Sequence, residues 1–295
     1  MTRAAAALAL AAFALAAAPR VARGYTRSRN SAGVVVAWPS PQLVVHVPVL
    51  TADRPVSLLS SDDVLAATDA AVAIWSHDQV ACTGVEMSAA VGASRDALAE
   101  KDDQNNVIFR VDSWSPQVFD EMGLPLGDYE PNQLALTSAW VTKSGKILDA
   151  DIEINVFNYP VWEVSGDMSR LVSDAAFDLQ NTLSHELGHV LGLDHSCWDP
   201  VTGPRPIDGD VPRPACADDP TLAEATMAPT AFVGDVGKRV LHDDDRKGIC
   251  DVYPFDPGGG CAAAGGAAGT PALLAVALAL LAAVHRGRRA RPAQA

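Results

Sequence analysis

Basic residues are scarce in this chain of 295 residues, and their scarcity excludes one class of partner. The chain has 22 lysines and arginines against 36 aspartates and glutamates, which gives a formal net charge of −14. Seven arginines lie in two terminal segments that contain no acidic residue: Arg3, Arg20, Arg23, Arg286, Arg288, Arg289 and Arg291. The chain between these segments is therefore more acidic still. Such a surface would repel a phosphate backbone, so we expect no nucleic-acid partner.

Cysteine is also rare, which limits the number of disulfide bonds. Of the five cysteines, Cys261 lies in a glycine-rich stretch near the C-terminus, and four remain for a folded domain. Four cysteines allow three pairings, and the sequence does not choose among them. We prefer Cys197 with Cys216, a bond that would staple a proline-rich loop, and Cys82 with Cys250.

No apolar run is long enough to be a clear membrane span. The run AAAALALAAFALAAA follows Arg3 and is typical of a secretory signal peptide over residues 1–24, with cleavage before Tyr25. Cleavage after Ala18 is the alternative. A second apolar run, at residues 271–284, has 14 residues, whereas a transmembrane helix needs about 20, so it would span a membrane only if the preceding alanines and glycines join it. We therefore expect an exported protein that contacts a membrane only through its C-terminal segment.

The C-terminal segment combines three features in order. A glycine- and alanine-rich linker with Cys261 occupies residues 255–270, and residues 271–295 hold the apolar run and a basic tail. This order resembles the C-terminal sorting signals of some Gram-negative bacteria, including the cysteine-containing kind of myxobacteria. The resemblance implies anchoring at the cell surface, or secretion after processing of the segment. A plain membrane anchor is the alternative, and both remain open.

The motif HELGHVLGLDH places three imidazoles and one carboxylate at the spacing of a zinc site. His185 and His189 are four residues apart, so on a helix their rings project from the same face and can bind one ion. Gly192 suits a left-handed residue at a helix end, and the resulting turn can bring His195 back as a third ligand. Glu186 can then reach a water in the open fourth position, which is the arrangement of a catalytic zinc site.

Two plainer interpretations compete with a catalytic site. The histidines could be ordinary surface residues, but the added glycine and third histidine make the pattern more specific than that. The ion could be purely structural, but structural zinc sites are usually closed by four protein ligands rich in cysteine, and only Cys197 is near the motif. We therefore predict His185, His189 and His195 as the metal ligands and Glu186 as the catalytic residue.

The chain resembles the matrixin branch of the metzincin zinc peptidases over about residues 107–254. Ser196 follows the third histidine, as in matrixins, and ATMAPTAF holds Met227 in what looks like the turn beneath the zinc ligands. LHDDDRKGICDVYP is similar to the last helix of the family, and LALTSAWVTKSGKILDADIEIN to the strand pair before the active-site helix. A methionine that only fills a gap in the core is the alternative for Met227.

The resemblance implies both a fold and an activity. The fold would be α+β, with a mixed, mostly parallel twisted sheet that has an antiparallel edge strand and packs on the active-site helix and a second long helix. A small C-terminal subdomain with the Met-turn and a final helix would follow, and residues 25–254 would form the catalytic domain. The activity would be peptide-bond hydrolysis, with a polypeptide added along the edge strand at residues 136–140 and Phe232 lining a pocket.

The sequence departs from the matrixin pattern in three places. The segment between His195 and Met227 is longer than in the family and is interpreted as an inserted loop. No cysteine segment of the propeptide type lies ahead of the first strands, so we expect no cysteine switch. His46, His77 and His242 are scattered along the chain, so we expect no second, structural zinc.

Local patterns place the other main elements. VVVAWPSPQLVVHVPV predicts a first strand with an irregular lead-in, because prolines interrupt its β-branched runs. Ser61, Asp62 and Asp63 predict the start of a helix with one apolar side. NNVIFRVDSW predicts a strand, and residues 115–132, which are rich in proline and glycine, predict a loop.

The helix that carries the motif is predicted to begin at Ser173, with Asp174 in its first turn to suit the helix dipole. An apolar stripe would face the sheet, while His185 and His189 face the cleft. The stripe consists of Leu179, Leu183, Leu187 and Val190.

The segment ILDADIEIN alternates strictly, which predicts a strand with one buried face and one wet face. The inner residues would be Leu148, Ala150, Ile152 and Ile154, and the outer ones Asp149, Asp151, Glu153 and Asn155. Because calcium takes oxygen ligands, this row of acids could bind calcium. A solvated strand face is the more common outcome.

Together these patterns predict an exported, monomeric, zinc-dependent endopeptidase that acts on polypeptides. An inactive, zinc-stabilised surface adhesin or binding protein is the alternative, and zinc without turnover would support it. A peptidase that processes one partner protein is a narrower version of the prediction, and the long loop after His195 is compatible with it.

Overall fold

The computed structural model describes most of the region between Tyr25 and Pro257. Its described residues are 25–51, 56–93, 97–115, 129–201, 205, 207–208 and 211–257. Those up to Phe255 belong to one compact unit, and the two that follow belong to another. The predicted signal peptide, most of the linker with Cys261, the C-terminal apolar run and the basic tail lie outside the described residues. Among the described residues, no helix has the length and apolar character needed to cross a membrane.

A mostly parallel five-stranded sheet forms the centre of the compact unit. The strands of the described residues are β1 (Thr26–Arg27), β2 (Gln42–Pro48), β3 (Glu86–Ala93), β4 (Asn105–Arg110), β5 (Ala135–Val141), β6 (Ile147–Asn155), β7 (Trp162–Glu163), β8 (Phe177–Asp178), β9 (Leu193–Asp194), β10 (Ile207–Asp208) and β11 (Val211–Pro212). The sheet has the order β3-β2-β4-β6-β5. Neighbouring strands in the sheet run parallel, except that β5 pairs antiparallel with β6 at one edge, as predicted.

Five α-helices accompany the strands in the described part of the chain. They are α1 (Ser61–Trp75), α2 (Met168–Ser173), α3 (Leu179–Val190), α4 (Pro220–Ala223) and α5 (Asp243–Val252). The start of α1 is confirmed, because Ser60 and Asp63 form a capping box there. The Ser60 hydroxyl accepts the Asp63 N–H at 3.1 Å, and the Asp63 carboxylate accepts the Ser60 N–H at 2.8 Å.

The inner face of the sheet packs against α1 and α3. The predicted apolar stripe of α3 is confirmed, since each of its four residues is no more than 1 % exposed. Burial of each such side chain stabilises the fold by about 1.5–3 kcal/mol. The Trp75 indole N–H on α1 donates to the carbonyl oxygen of Ser184 on α3 at 2.9 Å, so the two helices are also joined inside the core.

The start of α3 differs from the prediction. Ser173 ends the short helix α2, and Ala175 then adopts the left-handed region with φ 52°, which interrupts the helical path. Asp178 caps α3 instead, because its carboxylate accepts the N–H of Asn181 at 2.8 Å. The same carboxylate pairs with Arg239 at 2.5 Å. A long-range ion pair therefore reinforces the cap, and the local sequence does not reveal it.

The outer face of β6 is buried, so the prediction of a wet face is wrong. Asp149, Asp151, Glu153 and Asn155 are no more than 1 % exposed, whereas Leu148, predicted to lie inside, is 41 % exposed. Three backbone N–H groups of the loop before β4 and one from β4 itself lie against this face and donate to the carboxylates of Asp149 and Asp151 at 2.7–3.1 Å. The donors belong to Glu100, Asp102, Asp103 and Asn106.

The acids of β6 therefore anchor loops. Glu153 pairs with Arg110 and accepts the hydroxyl of Tyr129 at 2.7 Å. Burial raises the pKa of Asp151 to about 7. Since backbone N–H groups already take up most of the aspartate oxygens, the expectation of calcium gains no support here.

Both preferred disulfide pairings are confirmed. Cys82, which follows α1, is bonded to Cys250 on α5, and Cys197 is bonded to Cys216. The second bond closes the start of the inserted segment, which also contains the small β10–β11 hairpin. Near this segment the N-terminal strand β1, which the sequence did not reveal, pairs antiparallel with β9.

Candidate metal centre

The helix α3 brings His185 and His189 together by its own periodicity. Their Nε2 atoms lie 3.2 Å apart. Both residues belong to one helical turn, and the core packing of the opposite stripe of α3 fixes that face toward the cleft. The position of this pair thus follows from local structure.

The hydrogen bonds of the two rings fix their tautomers. Nδ1 of His185 lies 2.8 Å from the carbonyl oxygen of Thr226, and Nδ1 of His189 lies 2.9 Å from that of Leu193. A carbonyl oxygen only accepts, so each Nδ1 carries a proton, and in a neutral ring Nε2 is then the nitrogen that can bind a metal. The two Nε2 atoms face each other, an arrangement that a cation between them would stabilise.

His195 joins the pair through a turn at Gly192. This glycine has φ +83°, as predicted for a left-handed helix end, and a Cβ there would lie 2.6 Å from the carbonyl oxygen of Val36. The His195 ring centroid lies 4.9 Å from that of His189 and 5.3 Å from that of His185. One ligand atom from each of the three rings lies within 4.8 Å of the others.

Met227 lies beneath the histidine pair. It is 3 % exposed, and a Cβ on Gly188 would come within 2.1 Å of its Sδ. Gly188 stands between the two helical histidines, so only a residue without a side chain lets the methionine approach this close. This contact is specific to the site and goes beyond filling a gap in the core.

The segment around Met227 is tied to the third histidine and to the last helix. The N–H of Ser196 donates to the carbonyl oxygen of Met227 at 2.9 Å. The carboxylate of Asp245 on α5 accepts the N–H groups of Thr226 at 2.8 Å and of Met227 at 3.0 Å. Asp245 is 1 % exposed, so these charge-assisted bonds are shielded from water.

Glu186 is buried beside His185 and faces the edge strand. Its carboxylate Oε2 accepts the hydroxyl of Thr137 on β5 at 2.6 Å. Thr137 was not predicted as a site residue, because a threonine in a strand is common and only its contact with Glu186 distinguishes it.

Lys238 is a second site residue that the sequence did not reveal. Its ammonium is buried, donates to the carbonyl oxygen of Ala228 and lies 3.2 Å from Nδ1 of His185. Burial lowers the pKa of Lys238 to about 8. Burial, together with Lys238 and the neighbouring rings, also holds the pKa of His185 well below its usual value. The ring is thus neutral, as a metal ligand must be.

The donor set fits a zinc ion. Zinc bound to imidazole at about 2.0–2.1 Å in tetrahedral geometry places two nitrogens about 3.4 Å apart, close to the 3.2 Å between the Nε2 atoms of His185 and His189. Within the described residues no fourth histidine, cysteine or acid joins the group. Three imidazoles without a fourth protein ligand match the ligand set of a catalytic zinc site. The remaining histidines lie elsewhere: His46 on β2, His77 after α1 and His242 before α5.

Comparison with known proteins finds similarity to a metalloendoproteinase over part of the chain. No model of a known protein family matches the sequence. The Metalloendoproteinase 2-MMP of Arabidopsis thaliana is 33% identical over 136 residues, which cover 44% of this chain and 27% of that protein. The chain therefore spans about a quarter of the length of this curated relative.

Among solved structures, the structure of myroilysin aligns at 13% sequence identity with a TM-score of 0.33. The alignment covers 75% of this chain and 83% of that one. A TM-score of this size does not establish a common fold.

Proposed function

We propose that this protein is a zinc-dependent endopeptidase of the metzincin type, with a matrixin-like site. The observation that carries the proposal is the group formed by His185, His189 and His195, three rings whose ligand atoms lie close together, with Glu186 beside them. The partial similarity to a plant protein named as a metalloendoproteinase supports the same activity. The buried Met227 beneath the rings supports the matrixin-like assignment.

The three histidines would hold the zinc through ring nitrogens. When bound, the zinc supplies a Lewis acid that makes a water more acidic and polarises the peptide carbonyl. Glu186 accepts a proton from the attacking water as the oxygen of that water bonds to the carbonyl carbon. It then delivers the proton to the leaving amine nitrogen as the C–N bond breaks. The buried position of Glu186 keeps bulk water from competing for that proton.

The edge strand β5 offers a place for the polypeptide substrate. In the described residues β5 pairs on one side only, with β6, so its other side presents unpaired backbone groups. An extended peptide can pair there, with main-chain hydrogen bonds giving affinity and side-chain pockets giving selectivity. Phe232, which is 70 % exposed, is available to contact such a peptide.

The test is cleavage of an unfolded protein by the purified chain, with and without a zinc chelator. We expect cleavage that the chelator stops and added zinc restores. Glu186→Gln should lower kcat by about 10²–10⁴-fold while zinc content stays the same, because it removes the proton acceptor and leaves the histidines. Glu86→Gln, at an exposed position on β3, is the matched control and should keep wild-type activity. Full zinc loading without any cleavage would contradict the proposed activity and favour a binding protein.

The proposal includes export, with the chain at the cell surface or secreted after processing. Two disulfide bonds support an oxidising compartment, because such bonds are rare in the reducing cytosol. We expect a monomer that contacts the membrane only through its C-terminal segment. Recovery of the protein solely from the cytosolic fraction of its native cells would contradict this part of the proposal.

A further inference from the structure

The strand β5 directs one polar side chain toward the helix that carries the histidines. Ala135, Thr137 and Ala139 lie opposite Ile154, Ile152 and Ala150 of β6, so these three residues share the inner, helix-facing side of the sheet. The two alanines leave room for α3 to approach closely. Thr137 is the only residue of the three that can donate a side-chain hydrogen bond.

The Thr137 hydroxyl donates to Glu186. Its Oγ1 lies 2.6 Å from Oε2 of the Glu186 carboxylate and 3.3 Å from the carbonyl oxygen of the same residue. A hydroxyl has one proton, and 2.6 Å lies within the range of about 2.5–2.7 Å for charge-assisted O–H···O⁻ bonds. The proton therefore goes to the carboxylate.

We propose that Thr137 is a positioning residue that holds the Glu186 carboxylate in its proton-accepting orientation; this rests on the proposed endopeptidase function. A glutamate side chain has several rotatable bonds, and proton transfer needs its oxygen within hydrogen-bond reach of the water. The bond from Thr137 to Oε2 fixes the rotation of the carboxylate, and we assign the proton to Oε1, which does not accept this bond. Thr137 itself does not touch the reacting atoms and acts only through Glu186.

The strand that carries the Thr137 hydroxyl links the orientation of the Glu186 carboxylate to substrate binding. Thr137 belongs to the same edge strand along which we propose that the peptide pairs, and its backbone is fixed by the β5–β6 ladder. A substrate that docks on β5 therefore meets a strand that also holds the base. Precise support of this kind is what a catalytic group needs from its surroundings.

The test compares Thr137→Val, which keeps the shape and removes the hydroxyl, with Thr137→Ser, which keeps the hydroxyl. For Thr137→Val we expect kcat to fall about tenfold, as befits loss of one charge-assisted bond, with KM within about twofold. Thr137→Ser should recover kcat to within about threefold of wild type. Zinc content and zinc affinity, measured by chelator competition, should be unchanged in both variants.

Thr68→Val is the matched control. Thr68 is a fully buried threonine of α1 whose hydroxyl donates to the carbonyl oxygen of Val64 at 2.8 Å, away from the histidines. The control should keep wild-type kcat. A crystal structure of Thr137→Val should show the Glu186 carboxylate turned from its wild-type position, a readout that does not depend on activity.

The outcomes separate the two proposals. Wild-type kcat in Thr137→Val, or an equal loss of kcat in both the Val and Ser variants, would overturn the positioning role while leaving the endopeptidase function intact. A wild-type protein that binds zinc but cleaves nothing would overturn the function itself. A loss confined to KM would also count against positioning of the base, because it would place Thr137 in substrate binding.

Discussion

The two halves of the candidate zinc site are held in different ways. His185 and His189 lie on α3, and their spacing follows from one helical turn whose opposite side is packed into the core. His195 lies on a chain segment without a helix of its own, directly after the short strand β9 that follows Gly192. Local structure therefore positions two ligands, and long-range contacts position the third.

The third ligand depends on contacts that are distant in sequence. Next to it, β9 pairs with β1 from the start of the described chain. After His195, the N–H of Ser196 donates to the carbonyl oxygen of Met227, and Cys197 forms a disulfide bond with Cys216. Asp245 on α5 supports the same region through Met227. We therefore expect zinc binding by His185 and His189 to tolerate changes elsewhere in the chain better than the placement of His195 does.

Removal of each disulfide bond is the test with the largest expected effect. The Cys82–Cys250 bond spans 168 residues and the Cys197–Cys216 bond 19. In the chain-entropy model, replacing the first pair by serine lowers the free energy of unfolding by about 5 kcal/mol, and replacing the second pair lowers it by about 3 kcal/mol. We expect only the second replacement to weaken zinc binding, because Cys197 lies two residues from His195.

Urea unfolding measures the free energy of unfolding of each disulfide variant. Chelator competition, at a temperature where both variants are folded, measures their zinc affinity. The same loss of zinc affinity in both variants would contradict the distinction between the helical pair of histidines and the segment that carries His195.

A glycine substitution tests the turn that directs the third ligand. Gly192→Ala meets both the left-handed φ of +83° and a carbonyl oxygen 2.6 Å from the new Cβ, so we expect a loss of about 3 kcal/mol in unfolding free energy and weaker zinc binding. Gly33→Ala is a matched control, with φ +74° but nothing within 4 Å of its Cβ. Gly33→Ala should lower the free energy of unfolding by only about 1–2 kcal/mol, the cost of the left-handed conformation, and should leave zinc affinity unchanged.

Thermal unfolding and zinc titration of the two variants give the answer. If Gly33→Ala weakened zinc binding as much as Gly192→Ala, the turn at Gly192 would have no specific role in directing His195 toward the zinc.

The smallest expected effect is a pH dependence of the stability of the fold that arises from Asp244, which lies near the inserted segment. Burial raises the pKa of Asp244 on α5 to about 7, next to Arg213 and Asp219 of the inserted segment, and its Oδ2 has no hydrogen-bond partner among the described residues. A raised carboxyl pKa means that stability is fully present below the usual value near 4 and is lost as pH rises through about 7. Asp244→Asn, which cannot ionise, should therefore match wild type at pH 4.

At pH 8 the Asp244→Asn variant should be more stable than wild type by about 1–2 kcal/mol, after allowance for the partial exposure of the side chain. Unfolding in urea at both pH values measures this difference. Asp243→Asn, at the exposed neighbouring position, is the control and should show no such gain. A variant that is less stable than wild type at pH 8 would mean that the charged form of Asp244 is the stabilising one.

The sequence predicts those parts of the fold and site whose signals are local. The strict alternation at Ile147–Asn155 marks β6, the periodic leucines mark the buried stripe of α3, and Gly192 marks its end. The parallel sheet with its antiparallel edge strand β5 was expected from the family resemblance and is present. The cysteine pairing was one choice among three and matches both bonds.

The remaining features depend on groups that meet only after folding. The acids of β6 look like a wet face, and only their contacts with residues 100–106, Arg110 and Tyr129 make them buried anchors. Ser173 looks like a helix cap, but the ion pair of Asp178 with Arg239 favours a later start. Thr137 and Lys238 carry no motif, and only their contacts with Glu186 and His185 assign them to the site.

The central claim is that three histidines from these two halves bind one zinc ion. X-ray absorption spectroscopy on the purified protein, with metal content measured on the same sample, tests it most directly. We predict one zinc per chain, with three imidazole nitrogens at about 2.0–2.1 Å and one oxygen ligand, and loss of one imidazole nitrogen in His195→Ala. A protein that holds no zinc under saturating supply, or a spectrum unchanged by His195→Ala, would contradict the claim.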